Sequence, residues 1–232
     1  MKKNIFFYRI SHDANLMKIY PQIQTLDYKR PIKNIRRAEL DNNHVLPLSD
    51  DYIFDRFIIE KRAKKTDILS TAPLDIGLIL SERIVSVVLQ HNLPPHKVYP
   101  AIIQKRGTDV FYEGYYYFLF ERSMYRHLSF ADMKFHKVTF DERNQRIKED
   151  IHIESLEEYL EAINHGIRIA NANPNTYVFG HSFPLDIDLF GLGDFEGSVT
   201  YASERLKNAL EEVNMTGIKF ERKDTLFLRG DD

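Results

Sequence analysis

The sequence predicts an α+β fold: a mixed, mainly antiparallel sheet with a few helices, containing two helix-turn-strand units that read as an internal repeat. Three observations predict it. First, the segment from Ser203 to Phe220 copies an earlier one. At a constant offset of 122, Ser81, Glu82, Arg83, Asn92 and Lys97 recur as Ser203, Glu204, Arg205, Asn214 and Lys219. Second, the stretch from Val110 to Phe120 is crowded with Tyr and Phe, side chains that suit a pleated surface. Third, Leu156, Tyr159, Leu160 and Ile163 share one face at helical spacing, with Ser155 and Glu158 at capping-box spacing.

In chain order, residues 4 to 10 read as a first strand, followed by the turn-rich Ser11-His12-Asp13-Ala14-Asn15. Lys29, Arg30, Lys33, Arg36 and Arg37 cluster around Pro31 without the aromatic partners of a base-stacking surface. The mixed stretch from Asp50 to Ile59 fits strand or helix, and Lys61 to Lys65 reads as an exposed basic turn. Leu78-Ile79-Leu80 is apolar enough for a buried strand leading into the first repeated helix, which Pro94-Pro95 follows as a turn.

Val98 to Ile103 and Val110 to Phe120 then read as strands, the second a central one. Tyr115 and Tyr117 face one way and Tyr116 the other. Lys134 to Phe140 is another strand, and the polar run from Asp141 to Asp150 is a hairpin tip or a lobe boundary. After the Ser155 helix, which Gly166 can end, come a short strand at Tyr177-Val178-Phe179 and a loop from Phe183 to Gly197. In the second repeat Leu206, Ala209, Leu210 and Val213 mark one buried helix face, with Ser203 as N-cap and Thr216-Gly217 as the stop. A last strand spans Thr225 to Arg229.

With 232 residues the chain suits a single domain, 1–232, or two lobes. Hydrophobic residues make up 43 % of it, too much apolar surface to remain disordered. Cysteine is absent, which excludes disulfides and thiolate chemistry. The opening apolar run ends at Arg9, too short for a signal-peptide core, and no stretch nears the roughly 20 residues needed to cross a bilayer. The expectation is a cytoplasmic protein with no membrane partner and no cofactor. The net charge of −2 divides unevenly, +8 over residues 1–148 and −10 over 149–232, so a basic N-terminal lobe and an acidic C-terminal lobe are expected.

His181, Asp186 and Asp188 are the best enzyme-like constellation. Imidazole with carboxylates can hold a divalent metal whose water is activated for hydrolysis, but the spacing matches no metal motif. Gly191-Leu192-Gly193-Asp194-Phe195-Glu196-Gly197 lacks the Lys and Ser/Thr of a phosphate loop and carries two carboxylates that repel phosphate. Both Ser-Glu-Arg triplets read as helix starts, Ser as N-cap and Glu as a first-turn carboxylate. Arg83 and Arg205 are placed to pair with carboxylates across the repeat interface.

Leu80-Ser81-Glu82-Arg83-Ile84, Tyr99-Pro100-Ala101-Ile102-Ile103, Gly114-Tyr115-Tyr116, Ser203-Glu204-Arg205-Leu206 and Thr216-Gly217-Ile218-Lys219-Phe220 together resemble a family of immunity proteins from bacterial polymorphic toxin systems. The resemblance covers residues 74 to 222 and leaves the first third unmatched. It implies a protein that binds and neutralises a cognate toxin by occlusion, with no catalytic residues. The acidic C-terminal portion adds that the toxin presents a basic surface, met by Glu154, Glu157, Glu158, Glu161, Asp186, Asp188, Asp194 and Glu196. The alternatives are a metal-assisted hydrolase using His181, Asp186 and Asp188, and a nucleic-acid-binding module using the 29–37 basic cluster.

Overall fold

Chain order and spatial order diverge in this protein, because its first long strand is built into a sheet made otherwise from the C-terminal end. The computed structural model describes residues 2–18, 20–26, 54–70, 77–173, 176–195 and 199–230. The described chain begins with β1 (Lys3–Asn4), β2 (Phe7–His12), α1 (Ala14–Met17), β3 (Ile23–Leu26), β4 (Phe54–Ile59), β5 (Ile68–Leu69), β6 (Gly77–Ser81) and α2 (Glu82–Val88). It continues through β7 (His96–Lys105), β8 (Phe111–Phe120), β9 (Phe135–Phe140), β10 (Arg146–Ile151), α3 (Leu156–Asn164), β11 (Ile169–Asn171) and β12 (Tyr177–Phe179). Last come β13 (Leu189–Gly191), β14 (Thr200–Ala202), α4 (Glu204–Glu212), β15 (Ile218–Lys223) and β16 (Leu226–Leu228).

The fold is α+β. Its largest sheet has the order β3-β4-β7-β8-β6-β5, and a second has the order β13-β14-β2-β15. Two three-stranded sheets, β1-β16-β12 and β10-β9-β11, hold the remaining described strands. Pairing is mainly antiparallel, with β4–β7 and β12–β16 parallel. As the tyrosine alternation requires, Tyr115 and Tyr117 are buried on one face of β8 and Tyr116 lies half-buried on the other.

The repeat extends further than helix, turn and strand. In the first unit β6 leads through α2 to β7, and both strands run antiparallel to β8, which lies between them. In the second, β14 leads through α4 to β15, and both run antiparallel to β2. The registers coincide. Leu80 faces Tyr116 as Ala202 faces Tyr8, and His96 faces Phe120 as Ile218 faces His12. The outer strand also has its twin: Ile68 faces Leu80, and Leu189 faces Ala202. Each unit is therefore a βαβ crossover with one strand inserted between its two parallel strands. In the first unit that strand follows in the chain; in the second it is supplied by the N-terminus. The helices pack together over a shared core of Leu80, Ile84, Val85, Val88, Phe118, Phe120, Leu189, Ala202, Leu206, Leu210 and Ile218.

This topology corrects three expectations. The proposed lobe boundary at 148/149 falls inside β10, which pairs along its length with β9, and β1 and β2 both pair with C-terminal strands. The chain does not divide at the change of charge. Residues 11–15 are also not one loop: β2 runs to His12, and Asp13 caps α1 by accepting a hydrogen bond from Leu16 N at 3.2 Å. Thirdly, the 183–197 loop contains β13, a strand too short to show alternation.

The two units meet closely at Gly217. Its φ is +106°, and a Cβ there would lie 2.1 Å from the Ile68 carbonyl oxygen and 2.8 Å from Thr66 Oγ1. Ile68 N donates to Thr216 O at 3.0 Å across the same contact. Gly217→Ala is expected to lower stability by at least about 2 kcal/mol, through backbone strain and separation of the units. Denaturant unfolding measures it, and an unchanged midpoint would contradict this contact.

Candidate functional site

A carboxylate withdrawn from water is tolerable only when fixed donors replace its hydration. Asp188 is fully buried. It accepts hydrogen bonds from Ser203 Oγ, from Arg205 Nε at 3.0 Å and Nη2 at 2.7 Å, and from Asn92 N at 2.8 Å. Ser203 and Arg205 belong to its own unit, whereas Asn92 follows the helix of the other. Asn92 Nδ2 also reaches Asp186 Oδ2 at 2.9 Å, and Asp188 N donates back to Asn92 O at 2.7 Å.

Asp67 is the twin. Ser81 Oγ donates to it at 3.0 Å and Arg83 grips it with Nε at 2.7 Å and Nη2 at 2.5 Å. From the other unit, Thr216 donates its N at 2.9 Å and its Oγ1 at 2.6 Å. Arg83 further donates to Val213 O at 2.6 Å and Asn214 O at 3.3 Å, carbonyls at the end of α4. Each unit's aspartate thus binds its own helix start and the other unit's helix end. The serines differ in one respect. Ser203 Oγ also caps α4 by accepting from Leu206 N at 3.1 Å, while Ser81 makes no side-chain cap. Burial alone would raise the Asp67 carboxyl, but the hydrogen bonds from Arg83, Thr216 and Ser81 outweigh it and bring it down to about 2. Asp188 is lowered likewise, its burial overcome by Arg205, Ser203 and Asn92.

The clasp reassigns part of the sequence-derived constellation. Asp188 cannot be a surface contact, since its side chain is 1 % exposed. Nor is it placed to ligate a metal with His181, because its oxygens are taken by Arg205, Ser203 and Asn92. Asp186 is exposed and held by Asn92, and His181 lies on an exposed turn. Among the described residues no group of three His, Asp or Glu side chains is arranged to hold a metal ion. Asp194 falls in a 3-10 turn, Gly193–Phe195; Glu196 and the 29–37 basic cluster lie outside the described residues.

The other acidic candidates gather at α3. Ser155 Oγ accepts from Glu158 N at 3.1 Å, as the capping spacing requires, while Glu158 Oε2 reaches one residue further back to Glu154 N, at 2.8 Å. Glu154 pairs with His152 at 3.1 Å. Glu157 and Glu161 are one turn apart on the exposed face, flank the part-exposed Leu160 and make no ion pair among the described residues.

Two other arrangements have no signal in sequence spacing. His127 Nδ1 lies 3.0 Å from Ser182 Oγ, and burial lowers the affinity of this imidazole for a proton, but among the described residues no carboxylate orients the ring as a catalytic triad needs. Arg122 is buried, its Nη2 donating to Val199 O at 2.5 Å and Thr200 Oγ1 at 3.2 Å, and its guanidinium stacks over Phe120. Its role is to tie the end of β8 to β14.

Compared with known families and curated proteins, the chain matches no family model and no curated sequence.

Asp67 binds a proton less readily when folded than its ordinary value of 3.8 allows, so its contribution to stability is complete above that value and is lost as pH falls towards about 2. Asp67→Asn is expected to cost about 2 kcal/mol at neutral pH, with the gap from wild type closing between about pH 4 and 2. Asp188→Asn leaves Arg205 and a buried polar site unmatched and is expected to cost about 3 kcal/mol or more. Denaturant titrations across pH check both; an Asp67→Asn gap that stays constant into acid would contradict the clasp.

Proposed function

We propose that this chain is an immunity protein, neutralising a cognate bacterial toxin by stoichiometric occlusion of a basic surface. The observation that carries the reading is the outward face of α3. Glu157 and Glu161 project from a helix anchored by buried Tyr159 and carry charge that no cation among the described residues offsets. Glu154 and Glu158 stand at the same helix start, widening the acidic surface. A fixed helix with unneutralised carboxylates around a part-exposed Leu160 suits a partner of opposite charge, drawing it in by long-range attraction and excluding water on docking.

The repeated Ser-Glu-Arg segments that carry the resemblance support this division of labour. Their serine and arginine side chains are spent in the clasps, so they act as scaffold, and α3 lies outside the repeat. The hydrolase alternative loses support because the Asp188 carboxylate is buried and occupied.

Co-expression of this protein with the toxin domain encoded beside its gene is expected to restore growth, and the purified pair to form a stoichiometric complex. Growth arrest that persists despite soluble expression would reject the reading. For the surface itself, Glu157→Lys with Glu161→Lys is expected to slow association by about ten-fold in low salt, with the difference fading as salt screens it. Stopped-flow mixing reads the rate, and an unchanged rate would move the contact away from α3.

A further inference from the structure

Strand β10 is the edge of its sheet. Among the described residues it pairs with β9 alone, and every residue from Arg146 to Asp150 is exposed. Beyond the short reach of β11, which covers β9 only at residues 135–137, the β9–β10 hairpin stands clear of the neighbouring strand. Its tip is fixed: Asp141 N donates to Gln145 O at 3.0 Å, while Asp141 Oδ1 accepts from Arg143 N and Gln145 N at 2.9 and 2.7 Å. The closing bond sets the alternation of the antiparallel ladder. Ile147, Glu149 and Ile151 bond inward to β9, and Arg146, Lys148 and Asp150 turn their backbone N–H and C=O groups to the open edge. The bond from Val138 N, opposite Lys148, to Arg168 O on the far side agrees with that phase.

An open row of strand donors and acceptors invites another strand, and proteins commonly block it with charges. Here charge and apolar side chains together favour one register. The order Ile147-Lys148-Glu149-Asp150-Ile151 is self-complementary about Glu149. We infer that β10 is a homodimerisation edge, pairing antiparallel with β10 of a second copy about a two-fold axis through Glu149.

In that register Lys148 faces Asp150 of the second copy, twice, through the outward backbone groups that can bond. Ile147 faces Ile151 of the second copy, also twice, at the closer non-hydrogen-bonded positions where apolar side chains touch. The single like-charged contact, Glu149 against its own copy, is relieved by Lys137, which lies opposite Glu149 on β9 in each molecule. On the other face, that of Lys148, Asp150 holds His136 2.7 Å from its carboxylate. The neighbouring symmetric register, centred on Lys148, has a matching charge balance, two Arg146–Asp150 attractions against one lysine–lysine contact, but it sets Ile147 against Glu149, so the loss of the apolar pairs selects against it. Pairing merges two three-stranded sheets into one of six strands and removes the free edge of both.

Sedimentation velocity on the full-length protein over a wide concentration range tests this. Wild type is expected to show a monomer–dimer equilibrium. Lys148→Asp alone and Asp150→Lys alone each place like charges at both contacts, and each should raise the dimer dissociation constant about ten-fold or more. Mixing the two variants restores both attractions, so a heterodimer is expected where neither variant dimerises by itself. Both positions are exposed, and far-UV circular dichroism with thermal unfolding establishes that each variant is folded. A wild type that stays monomeric at all concentrations, or a dimer indifferent to both reversals and to mixing, would overturn the inference.

Discussion

The structure depends on the burial of one carboxylate in each unit. Asp188, fully buried, and Asp67, partly buried, are acceptable away from water only because an arginine and a serine from one side and a turn from the other supply their donors. That requirement fixes where each helix starts and where the opposite helix ends. Apolar packing between α2 and α4 supplies the bulk of the attraction, but it is non-directional and would tolerate sliding. Charge-assisted hydrogen bonds with defined geometry select one arrangement.

The reciprocity of the clasps explains how a permuted repeat holds together. β2 is the inserted strand of the second unit although it precedes the whole first unit in the chain. An antiparallel strand pairs equally well whether it is joined by a hairpin, as β8 is to β7, or arrives from elsewhere, provided that register is set by burial. Phe7 lies under β2 among Phe183 and Phe190, with ring centroids 6.0 and 5.0 Å away, and Ile10 packs against the helix-side core. A slip of one residue would exchange these faces.

Local features of this fold were legible in the sequence. The α4 cap at Ser203, the α3 cap at Ser155, the central place of β8 and the hairpin at 141–150 all follow from short-range chemistry that a window of residues displays. The structural use of Arg83 and Arg205 follows from triplets whose other members belong to helix starts, but each arginine pairs with the aspartate of its own unit and not, as expected, with a carboxylate across the repeat interface. The missing information is long-range. Nothing near Asp67 announces Thr216, 149 positions away, and nothing near Asp188 announces Asn92. Asp188 therefore reads as a loop carboxylate fit for a metal or a partner, when its environment makes it the least available acid in the region. The change of net charge near residue 148 is real, but sheet pairing ignores charge sign and draws the N-terminal strands into the C-terminal sheets.

Scaffold and surface thus separate: the serines and arginines of the repeat are engaged in the clasps, while α3 and the β10 edge present exposed charge. The most direct measurement of the central claim is native-state hydrogen exchange at the backbone amides of Asn92 and Thr216, each donated to the aspartate of the other unit. If the clasps lock the units together, both amides exchange only through global unfolding, with protection equal to that of the β8 core. Exchange of either amide at the rate of an exposed turn while β8 stays protected would contradict it.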